Sequence, residues 1–249
     1  MGLPDRIRSL FGKGPWEGAY RSFAEVPVRG PGFDGDAWLQ QLRDDRARVE
    51  DALRRGGSAA SPPDPELLAL AAPLSRVRVV DFGGGGGVSF LQLAAALPAS
   101  TVLDYRIVER APVCDDGNAH FKNDARLRFH PEIGEALGRP DIVYIRTALQ
   151  YLEDYRGVLG KLLDLQPKHL LLTNFSGTTA PTFATAQINQ KGSTIPYLFI
   201  NFPELDAFLG SRGYASTRRK EIPHRYKLSG LPPECRSSVM VDLLYTRAG

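Results

Sequence analysis

Five consecutive glycines, Gly83 to Gly87, follow directly on the short run Val79 to Phe82. The run Val77–Asp81 predicts a buried strand, and the residues after the glycines, Val88–Leu97, predict a helix. A strand that turns through glycines into a helix presents backbone N–H groups, and the positive end of the helix dipole, to a ligand. The glycines therefore predict a close approach between the main chain and a negative or nucleotide-like ligand.

Beyond residue 60, short β-branched runs alternate with helical stretches, which predicts βαβ units and a parallel sheet. The predicted strands are Val77–Asp81, Arg106–Glu109, Leu127–His130, Asp141–Arg146 and His169–Thr173, and the predicted helices include Val88–Leu97, Val113–Phe121 and Tyr155–Leu165. Asn201, with Glu204 three residues on, predicts the capped start of a further helix. The last two strands, Tyr214–Ile222 and Val239–Arg247, are separated by too little sequence for a crossover helix, so we expect them to pair antiparallel. The sequence thus predicts an α/β fold with a mostly parallel seven-stranded sheet and an antiparallel last strand.

The residues before the sheet predict a helical extension. Apolar residues recur at helical spacing between Asp36 and Arg55, and the stretch Gly56–Pro65 has the Gly, Ser and Pro content of a linker. We therefore expect residues 1–60 to form an N-terminal helical extension and residues 61–249 to form the α/β domain. Leu3, Ile7, Leu10 and Phe11 lie beside basic residues, which leaves two alternatives for residues 3–13: a weak membrane-surface helix, or a helix packed on its own domain.

The composition disfavours several classes of protein. The chain has 249 residues and a formal net charge of +3, which is small for a nucleic-acid-binding protein, and no RNA-binding motif is visible. Its two cysteines lack metal or disulfide spacing, and its four histidines lack the spacing of a metal site. No apolar run reaches the roughly 20 residues that a transmembrane helix needs, so we expect a cytoplasmic protein. Because the cysteine and histidine spacings do not match a metal site, we expect no bound metal.

The spacing of the glycines separates two classes of cofactor. The dinucleotide pattern GxGxxG requires a small last residue, whereas that place falls on Val88, Ser89 or Phe90 here. The pattern Asp81-x-Gly83-x-Gly85-x-Gly87 instead resembles the acidic residue and glycine loop of the class I S-adenosylmethionine-dependent methyltransferases. The resemblance extends from about Val77 to Arg247 and includes the segment Asp141–Asp154. It implies a Rossmann-like methyltransferase fold, S-adenosylmethionine as the cofactor and methyl transfer as the activity.

The resemblance also implies which residues contact the cofactor. The loop backbone would lie along the methionine part, and Glu109, at the end of the second predicted strand, would hold the ribose hydroxyls. In the family, an Asp or Glu after the third strand commonly lies near the adenine; here the stretch FHPEIGEA leaves His130 and Glu132 as alternatives. The expected cofactor-binding residues are Asp81, Gly83, Gly84, Gly85, Gly87, Glu109, His130, Thr147 and Gln150, of which Thr147 and Gln150 face either cofactor or substrate.

The acceptor side is predicted from two later segments. In the basic loop Arg218–Gly230, His224 is a candidate general base and Arg225 a candidate ligand for an anionic acceptor, the alternative being a solvated basic loop. The connector Ser176–Ile200 has the length of a binding loop, in which Gln187 and Gln190 would hydrogen-bond an acceptor and Tyr197 would stack on it. The alternative is that the polar residues of this connector are ordinary loop residues and that its aromatic residues are ordinary core residues.

A narrower resemblance concerns the acceptor itself. The segments Trp16–Val26, Gly32–Trp38 and Ala148–Leu172 resemble a group of bacterial methyltransferases associated with surface-polysaccharide gene clusters. We therefore predict S-adenosylmethionine-dependent O-methylation of a small or saccharide acceptor. Two alternatives stay open: a catalytically silent protein that binds S-adenosylmethionine, and an NAD-dependent oxidoreductase.

Overall fold

A central sheet of seven strands organises the chain in the computed structural model, which describes residues 14–190, 192–223 and 226–248. Its strands are β2 (Arg76–Phe82), β3 (Val102–Val108), β4 (Leu127–His130), β5 (Ile142–Arg146), β6 (His169–Thr178), β9 (Tyr214–Ile222) and β10 (Val239–Arg247). They lie in the order β4-β3-β2-β5-β6-β10-β9. The first five are parallel and β10 is antiparallel to both of its neighbours, which confirms the predicted mostly parallel arrangement with an antiparallel last strand. Three further strands, which were not predicted, extend this sheet to ten strands.

Helices cover both faces of this sheet. They are α1 (Asp36–Ala60), α2 (Pro65–Ala71), α3 (Val88–Ala96), α4 (Ala111–His120), α5 (Tyr155–Asp164) and α6 (Phe202–Ser211). One buried cluster joins the apolar residues of α5 and α6 to the sheet, and a second joins those of α2 and α3 to it. The sequence pattern missed α2, because its start lies in the proline-rich stretch that resembles a linker; Asp64 caps it by accepting from the N–H groups of Glu66 and Leu67.

The connector Ser176–Ile200 is not a loop, and this prediction was wrong. It contains the antiparallel strands β7 (Phe183–Gln190) and β8 (Ser193–Asn201), and β1 (Trp16–Tyr20) pairs antiparallel with β7. The hairpin strands are buried on both faces, with alanines on one face and polar residues such as Thr185 and Gln187 on the other. In β7 small and polar residues take the place of large apolar ones, and in β8 large apolar residues lie on both faces, so neither strand shows the usual alternation in the sequence.

The N-terminal residues contribute a strand as well as a helix. Strand β1 pairs with β7, and helix α1 contacts α3. Helix α1 begins at Asp36 as predicted and runs on past Arg55 to Ala60, with a break at Gly57, whose φ is 59°. The proposed division into residues 1–60 and 61–249 stays a prediction.

The start of α6 supplies a first test of the fold. Asn201 accepts from the N–H of Glu204 at 2.9 Å, as the sequence predicted, and its amide nitrogen donates to the carbonyl oxygen of Ala180 at 2.8 Å. We expect Asn201→Ala to lower the free energy of unfolding by about 2 kcal/mol, because it removes a helix cap and leaves a carbonyl group unpaired. Urea unfolding would measure this as a lower midpoint at unchanged slope.

The matched control is Asn123→Ala, which changes the same residue type at an exposed turn. We expect it to leave the midpoint nearly unchanged. Equal midpoints for the two variants would contradict the structural role assigned to Asn201.

Candidate functional site

The five glycines form a tight loop between β2 and α3. Gly83, Gly85 and Gly87 have φ values of 72°, 57° and 87°, in the left-handed region that favours glycine. An added Cβ would lie 2.4 Å from the Cβ of Ala148 at Gly83, and 2.9 Å from the carbonyl oxygen of Leu42 at Gly86. The close contacts of the loop with the rest of the protein are therefore enough by themselves to require glycine at these positions.

Several N–H groups of this loop are left for a ligand. The N–H groups of Gly83 and Gly87 bond to the carbonyl oxygens of Val108 and Gly84. Those of Gly84 and Gly86 form no hydrogen bond with any residue that the structure describes, and no side chain caps the start of α3. Donors of this kind at a helix start suit a negative or strongly polar ligand group.

Asp81 supports the loop from inside the protein. Its side chain is only 1% exposed, the Tyr105 hydroxyl donates to it at 2.7 Å, and an added Cβ on Gly84 would lie 2.6 Å from its Oδ2. Its pKa is raised from 3.8 to about 7, mainly by burial and also by the nearby Glu109, against the lowering effects of the Tyr105 hydrogen bond and of Arg146. A direct contact between Asp81 and a cofactor stays a prediction.

Glu109 lies beside the loop, where the resemblance expects the residue that binds a ribose. Its Oε1 accepts from the N–H of Gly85 at 3.1 Å, and its Oε2 accepts from the N–H of Arg110 at 3.0 Å. A carboxylate offers about four lone-pair sites. Two of them remain for a ligand, which is what two hydroxyl donors of a diol require.

His130 and Thr147 lie at the same edge of the sheet. The carbonyl oxygen of His130 accepts from the N–H of Glu109 at 3.1 Å, and its Nε2 is buried without a hydrogen-bond partner in the described part of the chain. Burial, assisted by Arg106, lowers the pKa of His130, so the ring is neutral at neutral pH. Thr147, with a φ of 53°, exposes its side chain, and the alternative adenine residue Glu132 is exposed.

An N-terminal segment, Phe33–Leu42, crosses the loop. The guanidinium of Arg110 forms an ion pair with Asp34 and donates to the carbonyl oxygen of Phe33. The Phe33 ring packs edge-on against Tyr151, with 4.9 Å between the ring centres. These contacts were not predicted from the sequence, although Arg110 directly follows the predicted ribose ligand.

Next to the loop lies a second group of residues, which we name the aromatic cluster: Trp16, Tyr151, Phe183, Tyr197 and Phe199. Its rings are 4.8 to 5.3 Å apart, centre to centre. The Tyr151 hydroxyl donates to the Oε1 of Gln187 at 2.9 Å. The structure thus brings together Gln187 and Tyr197, two of the predicted acceptor residues.

Gln150 borders the aromatic cluster. It is 1% exposed, and its amide interacts with the hydroxyl of Tyr197, although neither amide atom has a described partner at normal hydrogen-bond geometry. Gln190 ends β7, and its side chain lies outside what the structure describes. The candidate base His224 and the candidate anion ligand Arg225 also lie outside the described residues.

A polar cavity of about 330 Å³, which the sequence did not indicate, lies near the ends of β5 and β6. Arg146, Asn174, Asp64 and Asp242 are among its lining residues. The lining contains two carboxyl groups and one guanidinium, so their charges do not favour an anionic ligand in this cavity.

The part of the chain that the structure describes contains neither a metal-binding cluster nor a helix that could span a membrane. Within residues 14–190, 192–223 and 226–248, no group of three or more histidine, cysteine, aspartate or glutamate side chains could hold a metal ion. None of the helices described above is long and apolar enough to cross a bilayer.

Comparisons with known proteins bear on the fold. No protein-family model matches the chain. A trans-aconitate 2-methyltransferase from Deinococcus radiodurans is 33% identical over 123 residues, which are 49% of this chain and 46% of that protein. The chain thus spans about half the length of the curated relative that it matches.

Two solved structures are similar over most of the chain. One is the 1,6-didemethyltoxoflavin-N1-methyltransferase of Burkholderia thailandensis, solved with its substrate and S-adenosylhomocysteine; it has a TM-score of 0.51 at 18% identity and covers 85% of this chain and 86% of that chain. The other comes from the complex of the Haloferax volcanii Trm112 methyltransferase activator with a methyltransferase. It has a TM-score of 0.54 at 14% identity, and the match covers 86% of this chain and 96% of that chain. The chain has the Rossmann-like methyltransferase fold. These identities are too low for the likeness to carry more than the fold.

The pKa of Asp81 gives a test of the methyltransferase-fold loop. The folded protein binds this proton more tightly than the unfolded chain, so the stability it contributes is complete below about pH 4 and is lost as the pH rises through 7. Relative to Asp81→Asn, which still accepts from Tyr105, the wild-type protein should lose up to about 4 kcal/mol of unfolding free energy over this range.

Denaturant unfolding of both proteins at pH values from 4 to 9 would measure this difference. A stability difference that does not change with pH would show that the carboxyl group is not held in the environment described.

Proposed function

We propose that the protein is an S-adenosylmethionine-dependent methyltransferase that methylates an oxygen of a small acceptor. The observation that carries the proposal is the pairing of Glu109 with the glycine loop, in which a carboxylate with two free lone-pair sites lies beside unpaired backbone N–H groups. A diol-bearing nucleoside with a polar tail matches this combination of acceptors and donors.

The residues of the site fit this cofactor. Glu109 would hold the ribose hydroxyls, the N–H groups of Gly84 and Gly86 would lie along the methionine part, and the unpartnered Nε2 of His130 would face the adenine. When bound, the cofactor supplies a methyl group activated by its sulfonium. The protein then has to orient the acceptor oxygen in line with that methyl group and exclude water.

The comparisons support the class of activity and not the acceptor. The partial sequence relative is named a methyltransferase, and one of the structures of the same fold was solved with S-adenosylhomocysteine. A saccharide acceptor is supported only by the resemblance to proteins of surface-polysaccharide clusters. On the acceptor side, the proposal keeps Gln187, Gln190, Tyr197 and Arg225 as binding residues and His224 as the general base.

The cofactor assignment is tested by calorimetric titration with S-adenosylhomocysteine and with NAD. We expect the wild-type protein to bind S-adenosylhomocysteine and not NAD. Glu109→Ala should weaken S-adenosylhomocysteine binding about tenfold or more, which corresponds to about 1.4 kcal/mol, because it removes charge-assisted hydrogen bonds to a diol.

Asp115→Ala is a matched control, because it removes a carboxylate from an exposed position of the neighbouring helix α4. Its dissociation constant should equal that of the wild-type protein. If Glu109→Ala binds as tightly as this control, or if the wild-type protein binds NAD and not S-adenosylhomocysteine, the assignment is wrong.

A further inference from the structure

The unpaired amide of Gln150 needs a physical explanation. A buried polar group without a partner costs free energy, and native proteins retain few of them unless a ligand or an ordered water completes the hydrogen bonds. Gln150 has two such atoms, and the buried indole nitrogen of Trp16 in the aromatic cluster is a third. These unpaired atoms indicate a place where a bound ligand would complete the missing hydrogen bonds.

The position of Gln150 connects this place to the glycine loop. Gln150 lies in the turn Leu149–Tyr151 that follows β5, and Ala148, two residues earlier, packs closely against Gly83 of the loop. On its other side, the Tyr197 hydroxyl lies near both Gln150 and Ser176. Gln150 therefore stands between the proposed cofactor site and the aromatic cluster.

The two tyrosines next to Gln150 are uncharged. Burial raises the pKa values of Tyr151 and Tyr197 well above the ordinary range, so both hydroxyls stay protonated and can donate a hydrogen bond. No charged side chain of the described residues contributes to either shift. A charged ligand group placed here would lose its hydration without gaining a counter-ion, whereas an uncharged one would not.

We propose that Gln150 and the aromatic cluster form the acceptor subsite, and that this subsite takes an uncharged ring compound carrying a hydrogen-bond donor next to an acceptor. The amide of Gln150 accepts with its oxygen and donates with its nitrogen, so it matches a vicinal diol or a hydroxyl beside a carbonyl group. The flat faces of the cluster pack against a ring. Methylation of this ring compound rests on the function proposed above, whereas binding of the compound to the subsite does not.

The decisive variant is Gln150→Met, which keeps the length of the side chain and removes both hydrogen-bonding groups. The free protein loses only the loose contact of the amide with the Tyr197 hydroxyl and no hydrogen bond of normal geometry, so its thermal midpoint should stay close to that of the wild type. Its affinity for S-adenosylhomocysteine should be unchanged. Its affinity for a ring ligand should fall about tenfold or more, because two hydrogen bonds to the ligand are lost.

Two uncharged ring probes test whether the subsite takes an aromatic or a saccharide ligand: catechol, a flat aromatic diol, and methyl β-D-glucopyranoside, a saccharide diol. Each is titrated into the protein saturated with S-adenosylhomocysteine, and trans-aconitate serves as the anionic comparison. Tighter wild-type binding of catechol identifies an aromatic acceptor, and tighter binding of the glucoside identifies a saccharide; both support the proposal if Gln150→Met weakens that binding.

Gln92→Met is the matched control. Gln92 is also buried, at 7% exposure, but its amide nitrogen donates to the Ser61 hydroxyl at 3.0 Å. We expect this variant to lower the thermal midpoint, because it leaves Ser61 without this partner, and to leave binding of the ring probes unchanged. Opposite patterns in the two variants would distinguish a ligand-binding glutamine from a structural one.

Three results would overturn the proposal: wild-type protein that binds neither ring probe, tighter binding of trans-aconitate than of both, or ring-probe binding that Gln150→Met leaves unchanged. These failures are separate from failure of the proposed function. If S-adenosylhomocysteine does not bind, the methyltransferase assignment falls, and the ring probes, titrated alone, still test the subsite.

Discussion

The close packing of the glycine loop against its own protein is the constraint on which the site depends. Side chains at Gly83, Gly84 or Gly86 would overlap Ala148, Asp81 or the carbonyl oxygen of Leu42. These three contacts come from the turn after β5, from β2 itself and from α1, so one loop fixes the relative positions of three elements. Its inner side is fully used by the protein, and only its outer side, with unpaired N–H groups, is left for a ligand.

Two acidic residues at this loop have different environments and different tasks. Asp81 is buried beneath the loop with a pKa near 7, so at neutral pH it carries a proton for much of the time and its repulsion of the nearby Glu109 is reduced. Glu109 lies at the outer edge, where it accepts from the loop through Gly85. The arrangement keeps one carboxyl group for internal support and presents the other to the ligand side.

The sequence predicted those parts of the molecule whose signals are local. The buried strands around β2 and the capped start of α6 at Asn201 follow from patterns within a few residues of one another. The hairpin of β7 and β8 was missed because the buried residues of β7 after Phe183 are mostly small or polar, and α2 because its cap lies in a proline-rich stretch. Within the site, the glycine loop and Glu109 were expected together, whereas the Arg110–Asp34 ion pair and the unpaired amide of Gln150 arise only from tertiary contacts.

The hairpin of β7 and β8 has two faces with different requirements. Ala184 and Ala186 lie on the main core, where small side chains let the hairpin approach closely. Thr185 and Gln187 lie on the opposite face with the aromatic cluster, where their burial is tolerated because the hydroxyl of Thr185 donates to the carbonyl oxygen of Gly18 and Gln187 accepts from Tyr151. In the same environment the amide of Gln150 has no such partner. The indole nitrogen of Trp16 in the aromatic cluster and the Oδ1 of Asn189 in β7 are likewise buried without a described partner. Because unpaired buried polar atoms recur around the cluster while Thr185 and Gln187 are satisfied, a ligand that completes several hydrogen bonds explains them better than loose packing at Gln150 alone.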